Sequence, residues 1–243
     1  MRSRSRWSSL FTVGFASLVA VNAAAAQFGS LAMNTRTNIF LSGGNAYSTP
    51  PNGGAGLTPS AIALTAGTGR VLSLSAIGSS FFCNGGTFCL ASTPDGPAFL
   101  NNTNLSVVGS IGGISAPSTG FLAALFLGPT LPASMPAQNV ITNLNALSYS
   151  PGLGQVFFVG NGSTAANVMQ QFLVPDGATQ LFFGIADGGS FFGVPGFYDD
   201  NLGTYTVDYT VTGSSTPVPE PNTAALLSLG LVAFGVAHRR RAA

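Results

Sequence analysis

The chain has 243 residues, and only 6% of them are charged, against about 25% in typical soluble proteins. Its 32 glycines and 15 prolines favour many short strands joined by turns, and they argue against a helical bundle or a charged disordered tail. Residues 27 to 217 hold two arginines, no lysine and six aspartates, a net charge of −4. This balance excludes a basic surface, so no nucleic-acid partner is expected.

Residues 1 to 26 have the three parts of a secretory signal peptide. Three arginines near the start are followed by an apolar run from Leu10 to Val21 and by the small-residue stretch Ala23 to Ala26. The run is short for a helix that stays in the membrane. The pattern therefore predicts export, with cleavage after Ala26.

The region 27 to 217 is predicted to be one all-β domain, an antiparallel β-sandwich or jelly roll. Glycine or proline interrupts every gap between short apolar or alternating runs, and the turn Ala66 to Gly69 predicts a hairpin between the second and third runs. The predicted strands are Thr35 to Leu41, Ser60 to Leu64, Val71 to Ile77, Gly120 to Leu127, Gln155 to Val159, Met169 to Val174, Gln180 to Ile185 and Thr204 to Val211.

The two cysteines, Cys83 and Cys89, enclose five residues. In an exported protein they are expected to form a disulfide, because two thiols alone make no zinc site and the spacing is not Cys-x-x-Cys.

The exported region has no histidine, since the only one, His238, lies in the C-terminal tail. This excludes Ser-His-Asp hydrolysis, Cys-His chemistry and His-ligated zinc catalysis. Carboxylate-only chemistry, as in glycosidases, stays open. It would use two of the six aspartates, which are Asp95, Asp176, Asp187, Asp199, Asp200 and Asp208. The region has no Trp and no Glu before Glu220, so we predict that the protein is not an enzyme.

Half of these aspartates lie in one loop between two predicted strands. Asp187, Asp199, Asp200 and the neighbouring Asn201 bring several oxygen ligands together, and carboxylates this close repel one another unless a cation lies between them. Calcium takes such ligands, so the loop predicts a calcium site. The sequence Asp-Asn-x-Gly equally suits a solvated turn in which the side chains cap backbone amides.

The C-terminal residues 218 to 243 read as a tripartite signal. They contain Val218-Pro219-Glu220-Pro221, an apolar run from Thr223 to Ala237 that predicts one short transmembrane helix, and the cluster Arg239, Arg240 and Arg241. This order resembles the PEP-CTERM sorting signal of Gram-negative bacteria, a tail that is also labelled an ice-binding-protein C-terminal segment. The resemblance implies transient insertion in the inner membrane, processing by an exosortase-type enzyme, and delivery to the cell surface or an exopolysaccharide matrix.

The loop Pro195-Gly196-Phe197-Tyr198-Asp199-Asp200-Asn201-Leu202-Gly203 is similar to the calcium loop of small bacterial galactose-binding lectins, which are jelly-roll sandwiches. The resemblance implies calcium ligands at the Phe197 carbonyl, Asp200 and Asn201. The family's Asp before the Pro-Gly pair is Gly193 here, and Asp187 is the expected replacement across the insertion Gly188 to Phe192.

The same resemblance implies a carbohydrate site near the ion, with Asp95, Asp187 and Asn201 as the expected residues. Adjacent phenylalanines cannot always both be buried, so an exposed one on the loop beside the ion, Phe191 or Phe192, is expected to stack on a sugar, and Phe192 is counted among the carbohydrate residues. The family's sugar-contacting His is missing, so galactose specificity is not implied. We therefore expect an exported, calcium-dependent binder of an extracellular polysaccharide. A structural matrix protein without a ligand and a carboxylate-only glycosidase are the alternatives.

Overall fold

A computed structural model describes residues 26–83, 91–97 and 102–215. The predicted sorting tail with its apolar helix, nearly all of the signal peptide, and Cys89 lie outside these residues. In the described ranges no helix is both long and apolar enough to cross a membrane. The strands are β1 (Gln27–Asn34), β2 (Ile62–Ala63), β3 (Gly67–Phe81), β4 (Thr103–Leu105), β5 (Ile114–Ala116), β6 (Leu122–Leu127), β7 (Asn139–Val140), β8 (Ser148–Tyr149), β9 (Phe157–Phe158), β10 (Gln171–Leu173), β11 (Gln180–Ile185), β12 (Phe192–Gly193) and β13 (Leu202–Ser215). Three short 3-10 helices cover Ile39–Gly44, Gly189–Phe191 and Tyr198–Asp200.

Within the described residues the strands form three sheets. The first has five strands in the order β1-β13-β3-β10-β8, the second has four in the order β2-β11-β6-β9, and the third has four in the order β12-β4-β5-β7. The long strands β3 and β13 pair antiparallel over most of their length and form the backbone of the first sheet. Three pairs are parallel, β8 with β10, β4 with β12 and β5 with β7.

The second sheet is buried on both faces. In β6, Leu122, Ala124 and Phe126 belong to a core shared with the first sheet, whereas Ala123 and Leu125 belong to a core shared with the third sheet and the first 3-10 helix. All six residues of β6 are buried. Strands covered on both faces are apolar throughout, which is why β6 and β11 read as continuous apolar runs.

Adjacent phenylalanines follow from this arrangement. Phe182 and Phe183 on β11 are each about 1% exposed, and they enter opposite cores because neighbouring strand residues face opposite sides. Phe157 and Phe158 on β9 divide in the same way. Burial of each ring is worth about 1.5–3 kcal/mol.

The all-β prediction is confirmed, but the jelly-roll topology is not. Three sheets with parallel pairs replace the expected two antiparallel ones. The predicted hairpin is wrong, since β2 pairs with β11 in the second sheet and β3 lies in the first. The Thr35 to Leu41 strand is also wrong. The Asn38 side chain accepts a hydrogen bond from the Phe40 N–H at 2.9 Å and caps a 3-10 helix there, while β1 lies just before it.

Candidate metal centre

The predicted acidic loop connects β11 to β13, and its base is closed by backbone contacts. Gly188 and Pro195 form an antiparallel bridge, and the Gly196 N–H donates to the Asp187 carbonyl at 3.1 Å. Residues 189 to 194 project from this base as an excursion, in which Phe192 and Gly193 form β12 and pair with β4 of the third sheet. Asp187 thus lies opposite the Pro-Gly pair although it is distant from it in sequence.

Tyr198 holds the backbone of Asp187 in place. Its side chain is fully buried, and its hydroxyl donates to the Ile185 carbonyl at 2.9 Å and accepts from the Asp187 N–H at 3.2 Å. The hydroxyl therefore ties the end of β11 to the second half of the loop. Burial of a tyrosine hydroxyl with two partners makes this a rigid support.

Three side-chain oxygens at this place are buried and have no hydrogen-bond partner. They are Oδ2 of Asp187, Oδ1 of Asp200 and Oδ1 of Asn201. The side chains of Asp187 and Asn201 are 3% and 0% exposed. An unpaired buried polar group costs about 1–3 kcal/mol, and more when it is charged, so three together are costly without a further ligand.

The other polar atoms of these side chains are held in place. Oδ1 of Asp187 accepts a hydrogen bond from the Gly188 N–H at 2.7 Å. Nδ2 of Asn201 donates to the Thr35 carbonyl at 3.1 Å, and this bond orients the amide. The three oxygens without a hydrogen-bond partner are therefore held in place as acceptors.

The electrostatics of the cluster match this geometry. Burial raises the pKa of Asp187 to about 8, the Asn201 side chain and the Gly188 N–H lower it, and the Asp200 carboxylate raises it. Burial also raises the pKa of Asp200, as does neighbouring Asp199. Both carboxylates are thus in a setting that disfavours negative charge, and a bound cation would reverse that preference.

Two predicted ligands lie differently. The Asp199 carboxylate is exposed and forms an ion pair with Arg36, so it is committed to another partner. Phe197 has a left-handed φ of 64°, and its N–H donates to the Asn52 carbonyl at 2.9 Å. The described residues contain no group of three or more His, Cys, Asp or Glu side chains placed to hold a metal. Two carboxylates and an amide form the cluster instead.

The loop is also strained. Ser190, Phe191 and Phe197 adopt positive φ values of 51°, 61° and 64°, which costs about 1–2 kcal/mol per non-glycine residue. Part of this is offset by packing, since the Phe191 ring lies edge-on to Phe82 with centroids 6.1 Å apart. Such strain is often found where a loop is held for binding.

The expected carbohydrate residues divide into buried and exposed members. Asp187 and Asn201 are 3% and 0% exposed, so they have almost no surface to offer a sugar directly. Phe192 is 52% exposed and lies on the excursion. Asp95 is half-buried and lies in a separate cleft.

Neither Tyr198 nor Thr35 had a predicted role. Tyr198 had a signal in the Pro-Gly-x-Tyr spacing of the loop. Thr35 had none, because its carbonyl contacts Asn201 from 166 residues away in the chain.

Cys83 is disulfide-bonded. Cys89 lies outside the described residues, so the pairing of these two cysteines stays a prediction.

Comparison with known protein families identifies one segment of the chain. Residues 217–241 match the family model of the PEP-CTERM protein-sorting motif, which confirms the predicted sorting signal. No curated protein and no solved structure was found to be similar to the chain. The motif implies export, processing by exosortase, and sorting toward the cell surface or outside. It covers about a tenth of the chain and leaves the function of the β domain open.

Proposed function

We propose that this exported protein binds one calcium ion through Asp187, Asp200 and Asn201, and that the ion locks the loop beside which an extracellular carbohydrate binds. The observation that carries the proposal is the set of three buried, partnerless oxygens. A cation at this place would satisfy all three oxygens and remove the charge repulsion between the two carboxylates.

The donor set favours calcium over other common metals. All donors are oxygens, whereas zinc prefers Cys and His ligands, which the cluster lacks. Calcium accepts six to eight oxygens in flexible geometry, so backbone carbonyls and water would complete its shell. Magnesium demands a stricter octahedron and retains several waters, which suits a buried cluster less well.

The burial of its ligands indicates that the ion stabilises the loop more than it contacts the sugar. Asp187 and Asn201 are almost inaccessible, so an ion held by them would lie below the surface. The same loop presents Phe192 and Phe197, 52% and 39% exposed, as flat apolar surfaces. Locking the loop fixes these rings in position, which lowers the entropic cost of binding a polysaccharide.

The glycosidase alternative has one feature in its favour, the raised pKa of Asp187, which suits a general acid. That carboxyl group is 3% exposed, however, and a glycosidic oxygen must approach within hydrogen-bond reach of the acid. This burial favours a binding protein. A structural matrix protein without any ligand remains the second candidate, and it is separated from the first by experiment.

The test is calcium titration calorimetry on the exported protein, with thermal unfolding in calcium and in excess chelator. We expect a one-site signal and a melting temperature raised by about 5–10 °C, since calcium at a hundred times its Kd contributes about 2.7 kcal/mol. Asp200→Ala should lose both effects. Asp208→Ala, which removes an exposed carboxylate on β13, is the matched control and should keep them.

A flat titration with the same melting curve in calcium and chelator would reject the ion site. If calcium binds but an immobilised polysaccharide panel shows no retention, the protein is a calcium-stabilised structural component. Retention that weakens in chelator supports the full proposal.

A further inference from the structure

We propose that the sugar itself occupies a cleft around Asp95, separate from the cation cluster, and that this cleft takes one neutral hexose unit of the polysaccharide. The inference rests on the proposed carbohydrate binding but does not depend on the ion. The role of Asp95 in binding the sugar follows from the residues that surround it in the cleft.

The cleft has a volume of about 340 Å³, within the range of small-ligand sites. It lies at the end of β9 that adjoins the start of β6, and the residues after β9 and the segment before β8 form its walls. Its lining includes Asp95, Leu144, Asn145, Asn161 and Ala165.

Asp95 is held rigidly at this cleft. Its Oδ1 accepts a hydrogen bond from the Asn161 N–H at 2.8 Å, and its carbonyl accepts from the Ser118 hydroxyl at 2.7 Å. One carboxylate oxygen is thus used to fix the side chain, and the other would accept a hydrogen bond from a ligand hydroxyl group in the cleft. Charge-assisted acceptors of this kind make the stronger hydrogen bonds to a ligand.

The surrounding amides complement this acceptor. Oδ1 of Asn145 accepts from the Ala165 N–H at 2.7 Å, and Oδ1 of Asn161 accepts from the Ser163 N–H at 2.8 Å. With their carbonyl ends occupied, these side chains offer Nδ2 donors to a ligand. The Asn145–Ala165 contact also ties the two walls of the cleft together.

This combination of a carboxylate acceptor and amide donors fits a polyhydroxylated ring. A sugar hydroxyl both donates and accepts, so it can bridge the Asp95 carboxylate and an asparagine amide. The half-buried Leu144 and the exposed Ala165 add apolar groups to the lining, against which the C–H face of a sugar can pack.

The charge of the cleft selects neutral sugars. Among the described residues the cations are Arg36 and Arg70, and neither lines the cleft. A uronic acid or a sulfated sugar would meet the Asp95 carboxylate without a compensating cation, which disfavours its binding. A neutral hexose has no such penalty.

The cleft and the cation cluster share one end of the second sheet. Strands β11 and β9 flank β6, where Ile185 pairs with Leu122 and the Gly160 N–H donates to the Leu122 carbonyl at 3.1 Å. Two strand spacings of about 4.8 Å therefore separate the strand ends that carry them. A polysaccharide seated in the cleft can extend toward the locked loop, whereas a disaccharide contacts the cleft alone.

The experiment measures binding of lactose, cellobiose, maltose and digalacturonate to the exported protein by ligand-observed NMR, in calcium and in chelator. We expect at least one neutral disaccharide to bind in both conditions and digalacturonate not to bind. Asp95→Asn should weaken binding about 10- to 100-fold, the range for a lost charged hydrogen bond. The asparagine oxygen can still accept from the Asn161 N–H, so the cleft keeps its shape. Asn145→Ala should weaken binding less.

Asp208→Asn is the matched control, because Asp208 lines a larger, open cleft of about 680 Å³ on the first sheet. Loss of binding in Asp208→Asn with none in Asp95→Asn would move the site there and overturn the inference. Binding that disappears in chelator but survives Asp95→Asn would place the sugar on the ion and also overturn it. If the wild type binds no neutral sugar, both the inference and the proposed carbohydrate binding fail, whatever the calcium titration shows.

Discussion

Replacement of Asp187 by Asn should remove the pH dependence that its carboxyl group imposes on stability. In chelator the folded state holds the Asp187 proton up to a pKa of about 8, whereas the ordinary value is 3.8. Between these values the folded protein binds a proton that the unfolded chain does not. The free energy of unfolding therefore falls as the pH rises from about 4 to about 8, and it levels off above the folded pKa.

The size of the effect follows from the linkage slope of about 1.4 kcal/mol per pH unit for one proton. Between pH 5 and pH 7 the Asp187 carboxyl group should contribute a loss of about 3 kcal/mol, or about 5–10 °C in melting temperature for a domain of this size. Asp187→Asn has no proton to lose. In chelator at pH 7 it should be more stable than the wild type, by as much as about 4 kcal/mol.

Calcium should change the relative stability of the wild type and Asp187→Asn at pH 7. The ion takes the place of the proton, so the wild type gains stability at pH 7 and the pH slope flattens, whereas Asp187→Asn gains nothing. Binding should also release a proton, so the calcium affinity should fall by up to tenfold per pH unit below 8.

The assay is urea denaturation at pH 5, 6, 7 and 8, in chelator and in calcium, for the wild type, Asp187→Asn and the control Asp208→Asn. Burial also raises the pKa of Asp95 and Asp200, so the informative quantity is the difference between wild type and Asp187→Asn. Equal pH slopes for these two proteins would refute the assignment of the slope to Asp187.

Two further predictions concern the support of the cluster and the sorting signal. Tyr198→Phe leaves the Ile185 carbonyl and the Asp187 N–H buried without their partner, so urea denaturation should show a loss of about 2–4 kcal/mol in stability and calorimetry a weaker calcium affinity. The control Tyr209→Phe, at a half-buried tyrosine, should change little, and equal losses in both variants would contradict the supporting role of Tyr198. Glu220→Ala in the sorting motif should hold the protein in the inner membrane, as measured by cell fractionation, and release at the wild-type level would contradict processing at this motif.

Much of the fold class was readable from local sequence. Gly and Pro punctuation indicated many short strands, and β11 was predicted with its observed bounds, Gln180–Ile185. The partners of the strands were not readable, because pairing depends on contacts far apart in the chain. Ile62 and Ala63 pair with β11, more than a hundred residues later, and not with the strand that follows them.

The candidate site was likewise predictable from the sequence only in part. The loop ligands Asp200 and Asn201 lie next to each other in sequence and were visible as a motif. Asp187 was a plausible replacement for Gly193, but its position depends on how the insertion leaves and rejoins the loop base. The pairing of Asp199 with Arg36 joins residues 163 positions apart, and no local pattern announces it.

By itself the sequence determined where the protein is sent, that its exported part is built from strands, and which loop is rich in oxygen ligands, because these properties reside in short contiguous segments. The tertiary structure decided that the second sheet is covered on both faces, that Asp187 and Asn201 are buried with free oxygens, and that Asp95 lines a cleft with asparagines from a different segment. Burial and hydrogen-bond satisfaction are properties of the packed whole. They arise only when segments distant in sequence come together.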